Sequence, residues 1–226
     1  MSKAHSSAAG RSGDAPPTPP APRTRGARIA LTGGPGGGKT TAADLFRREL
    51  GDAVILVPEA ATLLFGGGFP RRSDAASCRA TQSAIFSVQR ALEDIQSASW
   101  PERILLCDRG TIDGAAYWPA EDGGALGFFT SAGTTLEAEL ARYDAVIFFQ
   151  SAATGGMSID GGNPVRSESQ REAALLDDKL LALWSQHERF VLVPHKASFF
   201  KKITFGLAAI ESIVAQLRRL AQGPTG

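Results

Sequence analysis

Cysteine is scarce in this chain. Its 226 residues include two, Cys78 and Cys107, and they do not sit at the short spacing of a metal-binding pair. Both read as reduced core thiols of a cytoplasmic protein. Charge of one sign is lacking as well: 24 basic residues face 23 acidic ones, for a formal net charge of +1. That balance announces neither nucleic acid nor an acidic membrane as a partner. No stretch approaches the ~20 consecutive apolar residues of a membrane span, and the N-terminus has no apolar signal core. The three histidines, His5, His187 and His195, form no triad with a suitable nucleophile. Internal repeats are missing, and so is any N-K-x-D or T-K-x-D string that would select guanine.

What is present suits one globular domain, since 43% of the residues are hydrophobic. The basic residues are uneven. Lys3, Arg11, Arg23, Arg25 and Arg28 face Asp14 alone over the first 28 positions, which leaves the body mildly acidic. Residues 1–26 are short of acids and contain Arg and Ser, as a transit peptide would be. The string APPTPPAP at 15–22 argues instead for a disordered Pro-rich tail. The expected organisation is a tail over 1–26 and a folded domain over 27–222.

In that domain, ARIALT (27–32), AVILVP (53–58), RILLCD (103–108), AVIFFQ (145–150) and FVLVP (190–194) read as strands buried on both faces. Helical spacing separates them: Ile85, Val88, Leu92 and Ile95 in 74–98; Leu176, Leu180, Leu183 and Trp184 in 168–187; Ile203, Leu207, Ile210, Val214 and Leu217 in 199–221. The alternation predicts an α/β fold with a parallel sheet and helices on both faces. Residues 120–133 and 151–166 read as long Gly- and Ser-rich loops.

The first strand runs into Gly33, Gly34, Pro35, Gly36, Gly37, Gly38, Lys39, Thr40 and Thr41. Gly33, Gly38, Lys39 and Thr40 complete G-x-x-x-x-G-K-[ST] between a strand and a helix. Glycines let backbone N–H groups close around phosphate oxygens. The helix N-terminus adds positive dipole. Lys39 is placed to reach β- and γ-phosphates, and the Thr40 hydroxyl to bind Mg²⁺. Such a site needs a further acid at the end of a nearby strand. Asp108 closes the run ILLCD and fits, with an Asp108–Arg109 ion pair as the competing reading.

Three further features bear on the use of the nucleotide. Glu59 follows the second strand, at the edge where open α/β sheets bind ligands, and can take a proton from a substrate hydroxyl; a helix-start Glu favoured by the dipole is the alternative. Arg166 and Arg171 flank a helix start, with Ser167 and Gln170 reading as a capping box, so they suit a lid over phosphates. Arg109, next to the metal acid, can meet developing phosphoryl charge.

Together TGGPGGGKTT, VPEAA, LCDRGTIDGAAYW, GNPVRSESQREAALLDDKL, WSQHERF and FFKKI resemble the AAA-type P-loop family. That family includes the nicotinamide-riboside-kinase domain of a bacterial NAD-biosynthesis regulator and the nucleotide-binding domain of the insect TRPL-translocation-defect protein. The resemblance spans about 27–215, and its specific strings are D-R-G-x-x-D-G-x-x-Y-W and N-P-x-R-x-E. It implies a three-layer P-loop sandwich with five parallel strands in the order 2-3-1-4-5. A more distant similarity to deoxynucleoside kinases implies Glu59 as base, Asp108–Arg109 as an acid–Arg pair and Arg166/Arg171 as lid. It also puts the acceptor near GGGFPRR (66–72) and the helix bearing Gln82 and Gln89. No arginine finger or second helical domain supports a hexameric motor.

The sequence therefore predicts phosphoryl transfer from ATP, with GTP left open and Mg²⁺ as cofactor, to a small hydroxyl acceptor. The alternative is a nucleotide-dependent switch with slow hydrolysis and a protein partner. A homo-oligomer is compatible with either.

Overall fold

The structure is a computed structural model that describes residues 26–151, 170–196 and 198–222. Five strands, β1 (Arg28–Thr32), β2 (Val54–Val57), β3 (Ile104–Asp108), β4 (Ala145–Phe149) and β5 (Phe190–Val193), form one sheet. All pairings are parallel, in the order β2-β3-β1-β4-β5, as the resemblance implied. Seven helices occur among the described residues: α1 (Lys39–Leu50), α2 (Ala60–Gly66), α3 (Ala75–Ser99), α4 (Gly124–Ser131), α5 (Leu136–Leu140), α6 (Gln170–Trp184) and α7 (Phe199–Gln222).

The period of two along each strand sorts the core into two layers. Ile29, Leu31, Ile104, Leu106, Ile147 and Phe149 pack with Ala42, Ala43 and Phe46 of α1 and with Ile203, Ile210 and Val214 of α7. The alternate set, including Ala30, Leu105, Cys107, Val146 and Phe148, packs with Phe86 of α3, Phe128 of α4 and Leu180 and Trp184 of α6. The alternation also sets the chemistry. Asp108 continues the Ile104–Leu106 row and so faces α1, which begins with the lysine and threonine of the glycine loop. Thr32 continues the Ala30 row and so faces the opposite layer.

The helix ends follow ordinary rules. Arg47 and Arg48 fill the last turn of α1, where they favour the dipole, and Gly51 closes it at φ 53°. Asp74 caps α3, accepting from the Ser77 N–H at 2.9 Å.

Four expectations need correction. The edge strands β2 and β5 are not buried on both faces: Ile55, Leu56, Phe190 and Val191 are half-buried and Leu192 is exposed, because an edge strand has only one strand neighbour. Residues 120–133 are not a loop. They hold a 3-10 turn and α4, whose Phe128 and Phe129 are buried with Trp118, and that apolar payload outweighs the glycines. Cys107 is buried as expected, but Cys78 is half-buried near the start of α3. Gln89, of a type usually solvated on a helix, lies in the interior, since the buried side of α3 carries Thr81, Phe86, Gln89 and Glu93 while Ile95 is 63% exposed. Of the expected tail over 1–26 and loop over 151–166, residues 1–25 and 152–166 lie outside the described residues.

Candidate active site

The glycine loop leaves the C-terminal end of β1 and delivers Lys39 as the first residue of α1. Gly33, Gly36 and Gly38 have φ of 128°, 73° and 82°, a region only glycine enters without strain. Lys39 is buried, and its Nζ donates to the Gly34 carbonyl at 2.7 Å, folding the ammonium over the loop.

Asp108 stands beside it. Its Oδ2 accepts from the Thr40 hydroxyl at 2.8 Å, while its Oδ1 is buried and has no hydrogen-bond partner. Burial pushes the carboxyl above the usual carboxylate range, and the nearby Glu59 charge adds to the shift; the Thr40 hydrogen bond, Lys39 and Arg109 pull the other way. An orphaned buried acceptor next to a hydroxyl donor set fits a divalent cation, because a hard cation takes oxygen ligands. Among the described residues no three His, Cys, Asp or Glu side chains cluster as a metal cage. That suits an ion carried mostly by phosphate and water.

The competing ion pair, Asp108 with Arg109, is not found. Arg109 reaches the other way: its Nε donates to Glu59 Oε1 at 2.5 Å and its Nη1 to Asp113 Oδ2 at 2.8 Å. Arg109 is the one non-glycine described residue with positive φ, at 71°. That conformation costs about 1 kcal/mol, so the two ion pairs hold the backbone as well as the side chain. Burial works against the guanidinium charge, but Tyr117, Glu59 and Asp113 more than offset it and keep its pKa well above the ordinary value.

Glu59 occupies the N-cap position of α2, as the dipole reading required, yet its side chain makes no capping bond. The carboxylate turns inward to Arg109 and accepts from the Thr62 hydroxyl at 2.6 Å. Gln89 locks this corner. Its Oε1 accepts from the Ala60 N–H at 3.2 Å and its Nε2 donates to the Arg109 carbonyl at 3.4 Å.

A cavity of about 660 Å³ opens against α2 and the start of α3, and neither Glu59 nor Arg109 is among its lining residues. Its walls include Phe65 of α2, Arg71, Arg72, Cys78 and Gln82 around the start of α3, and Tyr117 after β3. Arg71 lies over the Phe65 ring, 3.9 Å from its centroid. The cavity gathers part of the segment 66–72 and Gln82, as expected, but not Gln89.

Arg171 is exposed on the first turn of α6, and Arg166 lies outside the described residues. Sequence reasoning missed Asp113, which binds the Thr32 hydroxyl at 2.8 Å, the Trp184 Nε1–H at 2.7 Å and Arg109. The signal was the second acid of the D-R-G-x-x-D string. It also missed Ser151, Asp177 and Lys202, which touch the glycine loop from outside. They come from distant stretches, and no local spacing links them to it.

Comparison with known proteins agrees with this geometry. Deoxyadenosine kinase from M. mycoides with bound dATP superposes with a TM-score of 0.59 at 14% identity, covering 82% of this chain and 99% of that one. NadR protein in complex with NR superposes with a TM-score of 0.61 at 16% identity, covering 84% of this chain and half of the longer NadR chain. Identities this low establish the fold alone. No curated protein sequence matches the chain significantly. A family profile described as an AAA domain does match, over residues 28–202. With that match over most of its length and a glycine loop on a 2-3-1-4-5 sheet, the chain belongs to the AAA-domain family.

Proposed function

We propose that the protein transfers the γ-phosphoryl of ATP to a hydroxyl of a small metabolite, in the manner of a nucleoside kinase. The observation that carries this is the Glu59–Arg109 pair, buried at the C-terminal edge of the sheet, with Arg109 Nη1 also reaching the Gly33 carbonyl of the glycine loop at 3.5 Å. A carboxylate in that position has a task if an acceptor hydroxyl lies next to it.

In this reading Lys39 and the loop amides from Gly36 to Thr41 hold the phosphates. Thr40 and Asp108 would hold Mg²⁺, which when bound would supply charge against the phosphates. The acceptor enters the cavity lined by Gln82, Tyr117 and the two arginines. Its hydroxyl proton passes to Glu59 as the oxygen bonds to phosphorus and the bond to the ADP oxygen breaks. Arg109 orients Glu59 and meets the charge spread over the transferring group; Arg171, and Arg166 outside the described residues, would add cationic charge toward the phosphates.

One observation favours a second reading, a regulatory NTPase. Both Glu59 oxygens are engaged, by Arg109 and Thr62, which also describes a carboxylate that only braces the site. Glu59→Gln separates the two. As base removal typically costs on the order of 10²–10⁴ in rate, the kinase reading expects that fall in phosphoryl transfer across a panel of hydroxyl metabolites, with ATP affinity nearly intact. Hydrolysis at the wild-type rate in Glu59→Gln, with nothing phosphorylated in the panel, would establish the switch instead.

A further inference from the structure

Three side chains grip the glycine loop by its outer backbone, and none belongs to the nucleotide motif. Lys202, on the first turn of α7, is buried; its Nζ donates to the Gly37 carbonyl at 2.8 Å and to the Gln150 carbonyl, past the end of β4, at 2.6 Å. Ser151 donates its hydroxyl to the Pro35 carbonyl at 2.5 Å. Asp177 of α6 accepts from the Gly34 N–H at 2.6 Å and from the Ser151 N–H at 3.0 Å.

In a trans peptide the C=O and the following N–H lie in one plane and point in opposite directions. A donor that holds the Gly37 carbonyl outward therefore turns the Gly38 N–H inward. Ser151 does the same through the Pro35 carbonyl for the Gly36 N–H. We infer that Lys202, seconded by Ser151, is a positioning residue that sets the loop's amides for phosphate. The inference rests on the nucleotide-binding reading of the loop.

Lys202 has features expected of that task. Lysine in such a place is costly, because burial favours its neutral form; its pKa is lowered to about 8, with Asp177 opposing the shift. An ammonium donating to two carbonyls is the strong, charge-assisted kind of hydrogen bond. Gly206, one turn further along α7, packs against the Phe149 ring closely enough that a Cβ there would sit 2.9 Å from it. The Phe199 ring stands 2.6 Å from where a Cβ on Gly38 would be. Helix α7 is thus docked tightly on the loop and cannot drift from it without losing packing.

The test is calorimetric binding of AMP-PNP with Mg²⁺ and, separately, of adenosine, using the full chain well below its melting temperature. Lys202→Met keeps length and apolar bulk but removes the donors. It should weaken AMP-PNP tenfold or more and leave adenosine unchanged, because only phosphate reads the amides. Lys202→Arg, which restores a cationic donor, should recover part of the loss. Ser151→Ala should weaken AMP-PNP severalfold, and the exposed neighbour substitution Lys201→Met should change nothing. Equal affinity of Lys202→Met and wild type for AMP-PNP, or a parallel loss for adenosine, overturns the inference even if both variants fold with a lower melting temperature. A wild type that binds no AMP-PNP would sink the reading of the loop itself, a separate failure.

Discussion

The molecule buries two networks of charge, and they differ in which atoms are left over. One gathers the chain Glu59, Arg109, Asp113 and Thr32 and, beside it with no hydrogen bond to it, the Asp108–Thr40 pair. The other lies under α3 and α5. There Glu93, fully buried, takes Arg142 at 3.0 Å, Tyr143 at 2.8 Å and Gln89 at 3.2 Å, with Arg28 at 3.6 Å. Glu139 binds Thr111 at 2.7 Å and Arg90 at 3.1 Å. In this second network the orphans are donors, the Nε atoms of Arg28 and Arg142. In the first the orphan is an acceptor, Asp108 Oδ1. Arg142 Nε faces the Glu139 carboxylate at 3.6 Å, so a guanidinium N–H left over here already lies in an ion pair. An unused carboxylate oxygen beside a phosphate-type loop is a place for a cation. Similar burial therefore gives scaffold in one case and the candidate site in the other.

The comparison can be broken from the scaffold side first. Glu93→Ala removes the carboxylate shared by Arg142, Arg28, Tyr143 and Gln89 and leaves buried donors unpaired, although both arginines keep Asp94, so the expected loss is about 2–4 kcal/mol of stability, seen as a much lower denaturant midpoint. Nucleotide binding per folded molecule should be intact. If binding falls as steeply as stability, the networks are one unit.

Asp108→Asn sharpens it from the other side, with a smaller effect. The folded state raises the Asp108 pKa, chiefly by burial, so it holds the proton more tightly than the unfolded chain does. Ionising this carboxyl in the folded state therefore costs stability. The amide should raise the melting temperature of the unliganded protein by a few degrees while cutting Mg²⁺-dependent turnover about a hundredfold. A lower melting temperature with an unchanged Mg²⁺ titration would make Asp108 a scaffold acid like Glu93.

The smallest effect expected is from removing residues 1–25, a Pro-rich polar stretch with little to bury. Melting temperature and AMP-PNP affinity should stay within error, and a drop of several degrees would show that this segment packs on the domain.

The strands and the glycine loop were legible because they are local signals. ILLCD is a run of β-branched and large apolar residues, and Gly33 to Thr40 is a contiguous string. The strand order was not in any one stretch and came from the resemblance. Helix α4 was misread because glycines at 123, 124 and 127 outvoted the buried Phe128 and Phe129. The partners of Arg109 were hidden from the sequence for a different reason. Asp108 is its neighbour in sequence, but alternation along β3 sends that carboxylate toward α1, while the left-handed turn at Arg109 swings its guanidinium to Glu59, fifty residues upstream. Lys202 was visible only as part of FFKKI, and its grip on Gly37 spans 165 positions. Contacts of that range depend on the assembled sheet and leave no periodic trace.

The strand order also dictates when the protein becomes competent during its own synthesis. β1 is made first and ends up central, pairing with β3 through Arg28↔Leu105 and with β4 through Ile29↔Ala145. A ribosome must therefore extend the chain past residue 149 before the strand that carries the glycine loop has both neighbours. Lys202, which grips that loop, emerges later still. Until then the apolar edge of β1 is open to chaperones and to other nascent chains. Nucleotide capture should thus come among the last events of biogenesis, and truncated chains that end before β4 should be recovered with holdases rather than with ATP.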